Sequence, residues 1–157
     1  MIALGIDPGT RRIGYGIVKT AGNETRLLAA GILNITSTDD AGALVETRRD
    51  IDTLIKKYRP EVVGVEKLFF AKNRKTAIAV AQARGVILLA ARERRIPIRE
   101  YTPNEVKLGV AGYGSADKKA VLKMVRLILD RQDLAVIDDA SDALALAIIA
   151  GTPEPRY

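Results

Sequence analysis

Apolar positions along the chain switch between short continuous runs and helically spaced stripes. Ile2 to Ile6 is an apolar run closed by Asp7-Pro8-Gly9, which predicts a buried strand ending in a turn. Ile13 to Val18 and Arg26 to Leu33 predict two further strands with Ala21-Gly22-Asn23 as the hairpin turn, so an antiparallel three-strand meander opens the chain. Leu44, Ile51, Leu54 and Ile55 recur at helical spacing, and Arg59-Pro60 ends that helix before a fourth strand over Val62 to Val65. Arg74 to Arg95 predicts a helix whose buried face is Ile78, Ala81, Gly85, Leu88 and Leu89, followed by a fifth strand over Ile96 to Tyr101. Thr102-Pro103-Asn104-Glu105 is a capping box with proline at the first helical position. Gly112 to Gly114 predicts a flexible break, and Ser115 the N-cap of a helix burying Val121, Leu122, Val125, Ile128 and Leu129. A last helix is predicted from Asp138 to Ala150, burying Ala140, Ala143, Leu144, Ala147 and Ile148 before Gly151 and Pro153 end it.

Three strands, helix, strand, helix, strand, helices is an α/β order, and a central mixed sheet with helices on both faces is its natural packing solution. The chain has 157 residues, 48% of them hydrophobic, enough for one self-sufficient core. Without internal repeats or a linker, residues 1–151 are expected to form a single domain and residues 152–157 a short frayed tail. The sequence contains no cysteine and no histidine, which excludes disulfides, thiolate catalysis, cysteine or imidazole zinc sites and Ser-His-Asp triads. A formal charge of +6 favours an anionic partner, nucleic acid first. The uncharged run Ala143 to Thr152 is about half of the roughly 20 residues a membrane span requires. No basic stretch precedes Asp7 as in a signal peptide, so a cytoplasmic protein without membrane contact is expected.

The acids stand out against this composition. Asp7 follows the first strand, Glu66 the fourth, and Asp139 and Asp142 open the last helix three residues apart, on one side of it. Taken singly, each has an ordinary explanation: a turn-former before Pro8-Gly9, a solvated strand end, a charged first helical turn. Taken together in one cleft, they would raise each other's pKa unless a cation neutralised them. Oxygen donors alone select magnesium or manganese, and two such ions about 4 Å apart support in-line attack on phosphate without any histidine.

Four blocks carry a family resemblance, in order: GIDPGTRRIGYGIV, VVGVEKLFFAKNRKTAIAVAQARG, YTPNEVKLGVAGYGSADKKAVLKMV and DASDALALAI. Together they resemble the bacterial RuvC Holliday junction resolvases, over roughly residues 1–150. The resemblance implies a ribonuclease H-like fold with a five-stranded mixed sheet, and Asp7, Glu66, Asp139 and Asp142 as catalytic metal ligands for two magnesium ions, with manganese as substitute. Asp7 would bridge the ions, Glu66 would position the attacking water or its ion, and Asp139 with Asp142 would complete the shells. Asp138 is also acidic and one helical turn from Asp142, but the family pattern places the acid three residues before the last aspartate, which selects Asp139. Homodimerisation, symmetric cleavage of a four-way junction and partnership with the RuvA-RuvB branch-migration complex are implied in the same way.

Both phenylalanines are adjacent, in Leu68-Phe69-Phe70, where an exposed ring could stack on an unstacked base; packing beneath the loop is the alternative. Lys72, Arg74, Lys75, Lys107, Lys118 and Lys119 are candidate phosphate contacts, since lysines at a helix start are badly placed for that helix's own dipole. Lys119, Lys123 and Arg126 share a stripe that could track a DNA backbone or simply keep a surface solvated. The alanine-rich helix from Thr76 to Ala91 could meet its own sheet on one side and a twin subunit on the other. Two further classes compete: an actin-like or sugar-kinase-like phosphotransferase using GIDPGT as phosphate loop, which needs a second lobe, and a non-catalytic DNA-binding module, which has no reason to hold all four acids.

Overall fold

The computed structural model describes residues 1–68, 74–136 and 138–152, with 74 and 75 described in the backbone only. Its elements are β1 (Ile2–Asp7), β2 (Arg12–Ala21), β3 (Glu24–Asn34), α1 (Asp40–Tyr58), β4 (Val62–Glu66), α2 (Arg74–Glu93), β5 (Ile98–Tyr101), α3 (Pro103–Ala111), α4 (Lys118–Ile128) and α5 (Asp138–Gly151). The five strands form one sheet in the order β3-β2-β1-β4-β5. β1, β2 and β3 are antiparallel neighbours, while β4 runs parallel to β1 and β5 parallel to β4.

The expected sequence of elements is the observed one, with four local differences. The hairpin strands are longer than their apolar runs, because pairing continues to Ala21 and Glu24 across a two-residue turn in which Gly22 takes a φ of 59°. β5 starts at Ile98 rather than Ile96; Ile96 is buried in the core and the Pro97 carbonyl accepts from the Val63 N–H at 2.9 Å. α4 is capped by Asp117 and not Ser115: the Asp117 carboxylate accepts from the Ala120 N–H at 2.7 Å, and Ala116 is buried just before it. α2 buries a different stripe from the expected one, namely Ala83, Ile87, Ala90 and Ala91, and leaves Ile78 73% and Leu89 52% exposed. The helix carries two apolar stripes, and the one with smaller side chains is packed inward. Elsewhere local signals act as read: Thr102 and Glu105 form the reciprocal capping box, and Gly112 closes α3 at φ 85°.

Alternation along the strands divides the core into two. Leu4, Ile6, Ile13, Ile17, Val63 and Val65 face α1 and α2. Ala3, Val18 and Val62 face the other way, toward Val110 of α3, Val121 and Val125 of α4, and Leu144 of α5. On this second face the strands carry glycine where α5 crosses. Gly5 pairs with Gly16 on one side and Gly64 on the other, giving a row without side chains across three strands. A Cβ on Gly5 would lie 2.0 Å from the Ala143 carbonyl oxygen, and one on Gly16 would lie 2.7 Å from the Leu144 Cα. α5 therefore sits directly on sheet backbone, and nearly every residue from Ala140 to Gly151 is buried. No helix among the described residues is long and apolar enough to cross a membrane.

Candidate active site

The alternation that turns Ala3 and Gly5 toward α5 also turns Asp7 that way, and Val62 and Gly64 do the same for Glu66. β1 and β4 are parallel with Ile6 paired to Val65, so their acidic carboxyl ends lie side by side. Gly14 is the register partner of Asp7, and the Asp139 carbonyl oxygen lies 2.0 Å from where a Gly14 Cβ would be. The bare strand thus lets the first turn of α5 come down beside Asp7, with Asp142 on the same side of the helix.

Electrostatics report this convergence. Burial, then the charges of Asp142, Glu66 and Asp139, push the Asp7 carboxyl up to about 7, with Lys118 opposing. Glu66 is raised by burial and by Asp142, again against Lys118. Lys118 is itself raised, chiefly by Asp142, whose Oδ2 is 3.3 Å from its Nζ. Among the described residues, Lys118 pairs with Asp142 and Arg12 with Asp139, so four carboxylates face two paired cations and negative charge is in excess. Four hard oxygen donors with such an excess fit a divalent cation in donor type and charge. Among the described residues no three acidic side chains stand together as a ligand set.

The structure also separates Asp139 from Asp138. Asp139 is half-buried and among the charges acting on Asp7, whereas the Asp138 side chain is 82% exposed and lies 4.0 Å from Lys118 Nζ. Arg12 was not among the expected site residues, yet its Nε is 3.3 Å from Asp139 Oδ2. The Arg11-Arg12 pair after GIDPGT was the available signal, but the 127-residue separation hides the partner.

A cleft of about 780 Å³ is lined by Asp7, Glu66, Lys67, Asn104, Lys107 and Lys118 among others. A recess of about 150 Å³ shares Glu66, Lys107 and Lys118 and adds Asp142. Lys119 is exposed on α4 beside Lys118. Arg126, expected to share the basic stripe with Lys119 and Lys123, instead donates to the Leu134 carbonyl from Nε at 3.1 Å and Nη2 at 2.9 Å, bracing the segment before α5. Phe69, Phe70 and Lys72 lie outside the described residues, as do the side chains of Arg74 and Lys75.

A mixed sheet in this order, with acids at the ends of its two central parallel strands and at the start of the helix crossing them, defines a ribonuclease H-like nuclease architecture. The family model described as "Crossover junction endodeoxyribonuclease RuvC" matches residues 3–150, and the chain belongs to that family. A protein of that name from Natranaerobius thermophilus is 46% identical over 149 residues, covering 94% of this chain and 92% of its own. The Thermus thermophilus RuvC structure superposes with a TM-score of 0.87 at 34% identity, covering 95% of this chain and 92% of that one. A second structure, T. thermophilus RuvC in complex with Holliday junction substrate, gives a TM-score of 0.87 at 33% identity, with the same coverage of both chains.

Proposed function

We propose that this protein resolves four-way DNA junctions, hydrolysing one phosphodiester on each of two opposed strands during recombination and repair. The observation that carries this is geometric: Asp7 and Glu66 end neighbouring parallel strands, and the first turn of α5, which holds Asp139 and Asp142, comes down on Gly14 beside them, next to a cleft lined by Lys107 and Lys118. A sheet-bound carboxylate flanked by three others is the arrangement that a pair of magnesium ions, or manganese in their place, would occupy. When bound, such ions supply a water that deprotonates near neutral pH and charge neutralisation at the leaving oxygen. Asp7, central among the four, would hold the ions together with Glu66 on one side and Asp139 with Asp142 on the other, and Glu66 would help orient the attacking water. Lys118 and Lys107 offer cationic contacts to phosphate oxygens; Phe69, with Phe70 as a second candidate, is assigned to stacking on an unpaired base, and Lys72 and Arg74 to phosphate contact.

The direct test is magnesium-dependent nicking of a synthetic four-way junction against linear duplex of the same sequence. Paired nicks on the junction and none on the duplex are expected. Equal cutting of both would remove junction selectivity, and no cutting of either would remove the nuclease assignment. Lys119 bears on affinity rather than chemistry: Lys119→Gln should lower the slope of log affinity against log salt by about 1, measured by fluorescence anisotropy.

The enzyme acts as a homodimer through the outer face of α2. Ile78, Gln82, Gly85 and Leu89 form an exposed stripe, and a Cβ on Gly85 would meet no atom within 4 Å. An Ile78→Lys, Leu89→Lys double variant should sediment as a folded monomer and lose coordinated cutting of the second strand. A parent protein that is already monomeric at assay concentration would contradict the dimer. The cytoplasm, where chromosomal junctions form, is its place of action, with the RuvA-RuvB branch-migration complex as partner.

A further inference from the structure

On the face of the sheet opposite the carboxylates, one side chain reaches the backbone that carries Glu66. Arg84 of α2 donates from Nε to the Glu66 carbonyl at 3.1 Å and from Nη2 to the Glu100 carboxylate of β5. Its side chain is only 14% exposed. Alternation accounts for the geometry: Glu66 sends its carboxylate to the α5 side, while Glu100, two residues beyond core-facing Ile98, points to the α2 side. β4 ends at Glu66, and beyond it the Lys67 N–H donates to the Tyr101 carbonyl at 2.8 Å.

We propose that Arg84 is a positioning residue for the nuclease site, a fork that ties α2 to β4 and β5 and fixes the Glu66 main chain from behind without competing for its carboxylate. This rests on the function proposed above for its catalytic consequence, but not for the clamp itself. A strand end is where backbone is freest to shift, and a displacement of about 1 Å in a catalytic group can cost on the order of 100-fold in rate. The guanidinium reaches its two acceptors from two nitrogens held in one rigid plane; lysine keeps the charge and most of the stem, but its three donors share a single nitrogen and do not reproduce that fork. The acid at the strand end thus depends on a residue that touches neither substrate nor ion.

The test is Arg84→Lys in the full chain, with three readouts. Amide hydrogen exchange over residues 66–68 should quicken by about 10-fold while exchange in α1 is unchanged. Magnesium binding, followed by calorimetry without DNA, should weaken by about 10-fold, in the range expected when a ligand's supporting hydrogen bonds are lost. Junction nicking at saturating magnesium should fall by about 10-fold or more with junction affinity retained. Glu100→Ala, which frees one arm of the fork, should shift the same quantities in the same direction by a smaller factor. Unchanged exchange and cation binding in Arg84→Lys would overturn the proposal, as would faster exchange spread evenly over the whole chain. If the parent cuts no junction, the functional assignment fails, while exchange and calorimetry still decide whether the clamp exists.

Discussion

Asp7→Asn should abolish nicking, by about 10³-fold or more, and at the same time make the cation-free protein more stable at pH 8. Both outcomes come from the same crowding. Burial and three neighbouring carboxylates lift the Asp7 pKa from its ordinary 3.8 to about 7, so the folded state prefers the protonated acid. The resulting stability is fully present below about pH 4 and is lost as the pH rises through 7. At about 1.4 kcal/mol per pH unit the loss has an upper limit of about 4 kcal/mol. Thermal melts in EDTA should show the parent weakening between pH 5 and pH 8 and Asp7→Asn weakening much less, with a residual slope from Glu66, which is also raised. Magnesium at pH 8 should restore the parent's melting temperature and leave the variant unmoved, because the neutral amide no longer repels its neighbours or holds a cation tightly. A variant that nicks like the parent, or melts with the parent's pH dependence, would remove Asp7 from the centre of the site.

Gly14→Ala should also lower activity strongly, although it adds one methyl group to a residue with no chemistry of its own. That methyl carbon would lie 2.0 Å from the Asp139 carbonyl oxygen and 2.4 Å from the Asp139 carbonyl carbon, which are backbone atoms without a rotamer to yield. The first turn of α5 must then lift from the sheet. Overpacking of this kind costs about 1–3 kcal/mol, or roughly 2–10 °C in melting temperature for a domain of this size. Lifting Asp139 and Asp142 by about 1 Å from Asp7 should lower nicking on the order of 100-fold. Gly5→Ala, whose Cβ would meet the Ala143 carbonyl at 2.0 Å and the Ala147 nitrogen at 2.4 Å, presses on the middle of the same helix and should lower stability further. Differential scanning calorimetry with junction nicking separates the two effects. A Gly14→Ala protein with parental melting and parental nicking would show that α5 does not owe its position to the bare strand.

The acids were legible because each sits at a boundary between periodicities, where an apolar run meets a turn or opens a helix. The capping box at Thr102 and the stop at Arg59-Pro60 were legible for the same local reason. What placed the acids together was not. Gly5, Gly14, Gly16 and Gly64 look like weak points in strands until pairing aligns them under α5. Nor does periodicity show that α5 is buried almost all round, since Ala145 and Leu146 fall off the expected stripe yet are buried. α2 offered two apolar stripes, and spacing alone could not say which one packs inward. Ser115 and Asp117 are both competent caps, and only the burial of Ala116 and the Asp117 bond to Ala120 decide between them. The pairs Arg12 with Asp139 and Arg84 with the Glu66 carbonyl depend on distant chain segments, as does the diversion of Arg126 from the basic stripe to Leu134.

That carboxylates far apart in sequence share bound cations is tested most directly by anomalous diffraction from crystals grown with manganese. Manganese peaks within roughly 2.0–2.3 Å of Asp7 oxygens, with Glu66 on one side and Asp139 or Asp142 on the other, are the expected result. Manganese held by other acids, with none against Asp7, would contradict it.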